Sequence, residues 1–300
     1  MSTKNMRSSL IKWISLNWTP PLIWYYYLLF RRANEAEELV KDIQAGPDDG
    51  DWHDNGISKG KFPTRILYRL EEGEKAVELR ARVETPIQKD LLVPLICVLN
   101  ETQLFKTWLP NFKIPKMIIQ ECEKIKQAGK LTQILYSVVE FSWPMAPREM
   151  AIHLAAFDNI DAKAQFGIKV KTIYNEDDEV VPEADPKKVC MTLDGGFLFE
   201  KCPEDHPCMK YIKDEDKVDG EDMILVIYSA SMNPHLKFLP QSLLNFLIKI
   251  ALATAWKMLL QVAKGVRDGK RLEHQSAMEE KKEFYDYIRK RIDTMLSTSL

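Results

Sequence analysis

The feature that most constrains the fold is an apolar stretch of twenty residues, 243–262. The polar residues that interrupt it all fall within half of a helical wheel, so the other half is continuously apolar. This pattern predicts one long helix whose wide apolar stripe packs against a sheet. Lys249 and Lys257 would lie near the middle of a bilayer, at a cost of several kcal/mol, so we do not expect a membrane span.

Segments with the two-residue period of β-strands precede this helix. Strands 62–70 and 76–85 are predicted to form a hairpin across Gly73, with Arg82 and Glu84 on a solvent-facing side. Helical patterns follow at 89–109 and 116–128. A longer antiparallel run is then predicted, with strands at 133–141, 150–157, 165–174, 189–193, 196–200 and 223–230.

The N-terminal 32 residues contain five basic residues, no acidic residue and several aromatic ones. Tryptophan and tyrosine among basic residues favour a membrane–water interface, so Trp13, Trp18, Trp24 and Tyr25 are candidate membrane contacts. The second apolar run has nine residues, far fewer than the roughly 20 of a spanning helix. The alternative is an arm that folds onto its own domain. A short helix is predicted at 34–43, before Gly46.

Charge and cysteine content narrow the function classes. There are 42 basic and 44 acidic residues, which does not favour a nucleic-acid partner. The five cysteines are odd in number and scattered, which favours a reducing compartment and a cytoplasmic location. Cys202, His206 and Cys208 are three candidate zinc ligands, but a structural zinc site needs four. We therefore expect neither a metal nor a cofactor.

Two stretches carry a resemblance to a known family. In the first, Trp143-Pro144 precedes Arg148-Glu149 and a strand. In the second, the strand end and Asn-Pro turn at 228–234 are followed by a proline that opens the last helix, at 239–245. Together with Trp108 at the end of the middle helix, these motifs resemble steroidogenic-acute-regulatory-related lipid-transfer (START) domains. The similarity runs from about residue 52 to residue 266.

The resemblance implies an α+β helix-grip fold, in which a curved antiparallel sheet wraps around a long C-terminal helix over a hydrophobic tunnel. It implies a non-enzymatic lipid carrier that is a monomer, holds one lipid under a lid helix and loads at membrane surfaces. We expect an arm and short helix at 1–46, the lipid-binding domain at 47–268 and a charged, solvated helical tail at 269–300. Where many relatives carry a second arginine this chain has Leu154, which favours a neutral or weakly polar lipid.

Candidate site residues follow from the apolar faces. Trp143, Pro144, Arg148 and Glu149 are expected to be structural, with the last two forming an ion pair that fixes a turn. The residues expected to line the tunnel, or the core beside it, are Met150, Ile152, Leu154, Ile168, Val170, Leu225, Ile227, Leu244, Leu247, Ile248, Ala251, Leu252, Ala255 and Met258.

Two other functions stay open at this point. One is a cyclase or hydrolase for small hydrophobic substrates, with His153, Glu140 or Tyr228 as its candidate base. No nucleophile elbow, phosphate-binding glycine loop or HExxH motif is present, so we expect no enzyme. The other is a membrane-bound scaffold whose cavity is filled.

Overall fold

A computed structural model of the protein describes residues 20–47, 50–72, 77–113, 116–174, 181–213, 223–235 and 241–298. Its helices are α1 (Pro20–Ala45), α2 (Lys89–Asn100), α3 (Ile160–Lys163), α4 (Gln241–Arg267), α5 (Leu272–Glu280) and α6 (Lys282–Ser297). Its strands are β1 (His53–Ser58), β2 (Thr64–Glu72), β3 (Val77–Ile87), β4 (Phe112–Lys113), β5 (Lys116–Gln127), β6 (Thr132–Phe141), β7 (Arg148–Asn159), β8 (Gln165–Thr172), β9 (Val189–Cys190), β10 (Thr192–Lys201) and β11 (Ile224–Asn233).

The strands form one sheet in the order β1-β2-β3-β11-β10-β8-β7-β6-β5-β4, and β9 pairs with β7. Every pair along this path is antiparallel, whereas β9 runs parallel to β7. The predicted hairpin of β2 and β3 is confirmed. Of the two separate strands predicted at 189–193 and 196–200, residues 189–190 form β9 and residues 192–200 belong to the single strand β10. Gly195 permits this because a Cβ there would lie 2.2 Å from the Ser229 carbonyl oxygen of β11.

The long helix α4 packs on one face of the sheet, which we call the inner face. Its N-terminal half places Leu244 and Ile248 against Tyr68 and Leu79 of β2 and β3. Its C-terminal half joins a core cluster with α2 and inner-face residues such as Phe199. The helix from Leu244 to Arg267 is apolar enough to cross a membrane by length and composition, since an 18-residue window within it has a mean hydropathy of 1.5. In this fold one side of the helix packs against the sheet and α2, as the apolar half of its wheel predicted.

Helix α1 covers the opposite, outer face. Leu39, Val40 and Ile43 pack against the sheet. The predicted C-terminal end is confirmed at Ala45, where Gly46 adopts a left-handed φ of 73°. The helix begins at Pro20 rather than near residue 34, and its two prolines lie in the first turn, where proline is tolerated.

The solvent-facing side predicted for β3 is wrong at Arg82 and Glu84, which are 8% and 6% exposed. The Arg82 guanidinium donates to Glu84 at 2.6 Å and to the Ile43 carbonyl oxygen at the end of α1 at 2.7 Å. Burial acts to raise the pKa of Glu84, but the hydrogen bond from His206 and the charge of Arg82 outweigh it and lower that pKa to about 2. This part of β3 therefore holds a buried ion pair rather than the solvent-exposed surface that was predicted.

The helix predicted at 116–128 is also wrong, because this segment is strand β5. Its register against β6 shifts between Ile119 and Glu121 and again between Lys124 and Lys126. Each irregularity breaks the two-residue alternation, which leaves apolar spacings that imitate a helix. Hydrogen bonding to β6 stabilises this segment as a strand rather than a helix.

The C-terminal tail is not the solvated flank that its charges predicted. Tyr285, Ile292 and Met295 of α6 are at most 2% exposed and belong to the same core cluster as α2 and α4. Their spacing of seven and three residues keeps them on one side of the helix. The lysines and arginines of α6 occupy its other sides, so the charge content hid an apolar stripe.

Replacing Tyr285 tests this packing. We expect Tyr285→Ala to lower the free energy of unfolding by about 3–5 kcal/mol, as for other large-to-small changes in a core. Tyr287→Ala is the matched control, because Tyr287 is 54% exposed and its loss should change stability by no more than about 0.5 kcal/mol. Urea unfolding followed by circular dichroism measures both. Equal stabilities would show that α6 does not contribute to the core.

Candidate binding cavity

The inner face carries an aligned row of side chains that crosses the middle of the sheet. Strand register places them opposite one another in the order Ile66, Val83, Tyr228, Phe197, Ile168 and Ala156. The Phe197 ring lies 4.9 Å from the Tyr228 ring and 6.2 Å from the Trp256 ring of α4, measured between centroids. An aromatic group therefore connects the sheet to α4 at this point.

The predicted lining residues of β7 and β8 all lie on the inner face. Ile152 and Val170 are buried, whereas Met150, Leu154 and Ile168 are half-buried and pack against the same cluster. Apolar side chains in an interior that keep some accessible surface border a space that their neighbours do not fill.

The prediction for β11 is wrong in phase. Leu225 and Ile227 lie on the outer face, where they pack against Leu39, Val40 and Ile43 of α1. The apolar residues on the inner side of β11 are Ile224, Val226 and Ala230. Both faces of this central strand are covered by a helix, so apolar residues occupy both and alternation cannot distinguish them.

The predicted residues of α4 have different surroundings along the helix. Leu244 and Ile248 are buried against β2 and β3. Leu252 and Met258 pack against the main core cluster. Leu247, Ala251 and Ala255 are half-buried.

A cavity of about 110 Å³ lies on the inner face, under α6 rather than under α4. Two of the predicted lining residues, Leu154 and Ile168, border it, and no described residue of α4 does. Sequence reasoning missed the remaining apolar walls, which come from α2, α3, β7, β8 and α6. Their apolar lining residues are Ile96, Leu99, Ala156, Phe157, Ile160, Phe166, Phe284, Ile288 and Ile292.

The signal for the α6 wall is present in the sequence. Phe284, Ile288 and Ile292 are spaced by four residues, the repeat of one helical face. Of the sixteen residues from Lys282 to Ser297, nine are charged residues, serine or threonine. This polar composition concealed the apolar stripe.

One wall of the cavity is polar but satisfied by its own hydrogen bonds. The Gln133 amide donates to the Asn100 carbonyl oxygen at 2.9 Å and accepts from the Thr102 hydroxyl at 3.0 Å. Asn100 in turn donates to Glu101, which is fully buried and also accepts from Lys281 at 2.6 Å. This network fixes the end of α2 to the start of α6.

Exposed residues mark where the cavity meets solvent. The Arg291 guanidinium donates to both carboxylate oxygens of Asp158, at 2.7 and 2.8 Å, and to Asp161 at 2.9 Å. These hydrogen bonds lower the pKa of Asp158, so the pair stays ionised near neutral pH. Lys130 and Leu131 complete this rim.

The motif residues stabilise turns by separate contacts. Arg148 does not pair with Glu149 as predicted, because its guanidinium donates to the carbonyl oxygens of Ala146, Pro234 and His235. Glu149 instead accepts from the Tyr136 hydroxyl at 2.7 Å and from the Asp185 amide at 3.0 Å. Neighbouring residues of a strand point to opposite faces, which separates the two side chains. Trp143 and Pro144 are both exposed.

The three candidate zinc ligands have other contacts. The Nδ1 atom of His206 accepts from the Cys208 amide at 3.3 Å, and its Nε2 atom lies 3.3 Å from Glu84. Burial raises the pKa of Cys202 to about 12, which disfavours a thiolate. Within the described ranges, no group of three histidine, cysteine or acidic side chains is placed to hold a metal ion.

The candidate membrane contacts of the N-terminal arm are only partly covered by the structure. Trp13 and Trp18 lie outside the described residues. The backbone of Trp24 and Tyr25 belongs to α1.

Comparison with known proteins identifies the architecture. No protein-family model matches the sequence, and no curated protein matches it either. Among solved structures, human STARD10 matches with a TM-score of 0.53 at 14% identity, over 79% of this chain and 84% of that one. Human StAR-related lipid transfer protein 5 matches with a TM-score of 0.51 at 13% identity, over 78% of this chain and 97% of that one.

The chain has a START-like helix-grip fold. The predicted α+β class, with a large curved antiparallel sheet and a long C-terminal helix, is thereby confirmed. Identities this low show a shared fold and leave the ligand to be argued from the residues themselves. In this START-like chain, α5 and α6 follow the long helix and close one end of the inner face.

Xenon, which binds dry apolar cavities, tests the space under α6. We expect saturable xenon-induced shifts of the Leu154 and Ile168 methyl resonances in NMR spectra. Ala156→Leu should abolish them, because the added carbons enter the cavity, and should leave the protein as stable or slightly more so. Ala155→Leu, on the outer face, is the control and should keep the shifts. Shifts that survive Ala156→Leu would place the space elsewhere.

Proposed function

We propose that this protein is a non-enzymatic lipid carrier that encloses one lipid against the inner face of its sheet. The observation that carries the proposal is the partly exposed apolar inner face beside a cavity whose walls are mostly apolar. The START-like fold supports it, since one of its structural neighbours is named a lipid transfer protein.

Enclosure answers a physical requirement. A diacyl lipid with about thirty methylenes loses on the order of 20 kcal/mol if its chains meet water in transit, at about 0.8 kcal/mol each. The cavity of about 110 Å³ is smaller than the roughly 150 Å³ that accepts benzene. A whole lipid therefore requires α4 or α6 to move outward, and the half-buried residues of both helices mark the surface that would separate.

The candidate bases support a non-enzymatic function. Ile152 and Leu154 face inward, so alternation along β7 puts His153 on the outer face. Glu140 forms an ion pair with Lys116 at 2.7 Å. Tyr228 does face the interior, but burial raises its pKa to about 12, so its hydroxyl stays protonated near neutral pH. A cyclase or hydrolase would need a base among these three residues.

Loading would take place at a membrane surface, with the protein as a cytoplasmic, peripherally bound monomer. Phe246 and Ile250 are 57% and 37% exposed on the outward side of α4, and Trp143 is 92% exposed. Tryptophan and large apolar side chains favour the membrane–water interface. Tyr27 and Phe30 of α1 are also exposed, which supports a second contact through the aromatic, basic arm.

A scaffold with a filled cavity is the second candidate, and the small volume of the cavity favours it. Deleting residues 1–32 separates the two functions. A carrier should keep its lipid without the arm, whereas a scaffold anchored by the arm should lose vesicle flotation and have no lipid to keep.

A bulky residue on the inward side of α4 tests enclosure. Ala251→Trp should abolish retention of co-purified lipid, detected by native mass spectrometry, because the indole occupies the space next to the sheet. Ala253→Trp is the matched control, since Ala253 is exposed on the same helix. Absence of lipid from the unaltered protein would contradict the carrier function, and retention of lipid by Ala251→Trp would place the lipid under α6 rather than under α4.

Polar substitutions on the outward side of α4 test loading. The double variant Phe246→Ser/Ile250→Ser should slow the transfer of a fluorescent lipid between vesicles at least severalfold, because less apolar surface enters the interface. Retained lipid should not change. Leu272→Ser, at a residue that is 76% exposed at the start of α5, is the control. An equal effect of both variants would remove α4 from the loading surface.

A further inference from the structure

The cavity under α6 has an edge that meets solvent. Among the described residues that line the cavity, Lys130, Leu131, Asp158 and Tyr287 are exposed. Leu131 and Tyr287, which are 46% and 54% exposed, give this edge an apolar lip. The edge therefore offers a direct path from solvent to the apolar walls.

A charged bridge crosses this edge from α6 to the end of β7. The Arg291 guanidinium donates to both carboxylate oxygens of Asp158 and to Asp161. Asp158 is itself held in place, because it accepts from the Ile160 amide at 3.0 Å and from the Tyr287 hydroxyl. Arg291 and Asp158 both line the cavity, so the bridge between them closes its mouth.

The bridge opens more easily than α6 moves. The side chains of Arg291 and Asp158 are 22% and 31% exposed, so separating them leaves two hydrated charges rather than two buried ones. Salt screens ion pairs of this kind. Tyr285 and Met295 of α6, in contrast, are fully buried in the core cluster, and an outward movement of the helix would expose both. The mouth can therefore open by side-chain motion while α6 stays in place.

The bridge lies far from Trp143, which belongs to the proposed loading surface. Trp143 precedes β7, which begins at Arg148, whereas Asp158 lies at the other end of this strand. Ten positions separate residues 148 and 158, which corresponds to about 33 Å along an extended strand. No described residue of α4 borders the cavity. An opening at Arg291 would therefore work independently of α4.

We propose that Arg291, Asp158 and Asp161 form a latch over a portal, and that the end of one aliphatic chain enters the cavity through this portal when the latch opens. The cavity of about 110 Å³ is smaller than one that accepts benzene, which favours a narrow, unbranched chain. The inference rests on the proposed carrier function for the origin of this chain in a lipid. The entry route rests on the geometry of the portal alone.

Chemical labelling inside the cavity tests the portal. In Ala156→Cys a thiol lines the cavity wall, where it can react with hexyl methanethiosulfonate, a probe with one straight chain. Mass spectrometry of the peptide that contains residue 156 distinguishes this thiol from the five native cysteines. Adding Arg291→Met, which keeps an unbranched stem and removes the charge, should raise the labelling rate in low salt about fivefold, as for the loss of one partly exposed ion pair. High salt should narrow the difference, because it weakens the latch of Ala156→Cys alone.

Two further variants, each in the Ala156→Cys protein, isolate the latch. Arg289→Met is the matched control, because Arg289 pairs with Asp286 on the same helix and neither residue lines the cavity. It should leave the labelling rate unchanged. Asp158→Asn removes the charge on the other side of the latch with almost no change of shape. It should raise the rate as Arg291→Met does, so the test does not depend on the folding of a single variant.

The native Cys208 reports general loosening of the fold. It is fully buried and should stay unlabelled in every variant. Labelling at residue 156 within twofold of the Ala156→Cys protein in both Arg291→Met and Asp158→Asn would overturn the latch. A matching rise at Cys208 would also overturn it, because the chain would then enter through unfolding.

Lipid retained by the unaltered protein, measured separately, keeps the two proposals apart. Latch-dependent labelling in a protein that retains no lipid would support the portal and end the carrier function. Retained lipid together with labelling that ignores the latch would support the carrier function and overturn the portal, which would leave α4 as the route of entry.

Discussion

The structure depends on burying the inner face of one large sheet. Antiparallel strands direct alternate side chains to this face. In β2, β3, β11, β10, β8 and β7, which are neighbours in the sheet, the side chains on this face are overwhelmingly apolar. A sheet this wide needs more than one helix to cover it. Helix α4 covers β2, β3 and the centre, while α2 and α6 cover the end formed by β7 and β8. The cavity lies where this second cover fits the sheet incompletely.

Polar contacts determine where the covering helices sit, and apolar contacts supply most of their stability. The buried Glu101 carboxylate accepts from Lys281 and Tyr285, both at 2.6 Å, so one charge fixes the start of α6. Arg291 fixes a later turn of the same helix through Asp158. On the outer face, Arg82 binds the last turn of α1 in the same manner. Breaking a buried pair of this kind is costly because it leaves an unpaired charge in the interior.

The sequence was sufficient to predict the elements whose hydrophobic periodicity is undisturbed. The stripe of α4, the β2–β3 hairpin and the run from β6 to β11 all follow from spacing, and together they define the architecture. Prediction failed where a second constraint altered the period. Register shifts in β5 imitated a helix. Helices on both sides of β11 hid which face Leu225 and Ile227 occupy. The cavity itself depends on how α6 meets Leu154 and Ile168, a contact between residues more than a hundred positions apart that no local pattern encodes.

The packing of α6 also determines when the protein can fold during synthesis. Met295 is fully buried in the same cluster as Ile87 and Leu91 of the first half of the chain. The ribosome releases residues in order, and a domain completes its interior only once all of its segments have emerged. The sheet is therefore synthesised before the helix that completes its cover, and its apolar face stays uncovered at the β7–β8 end until α6 has emerged.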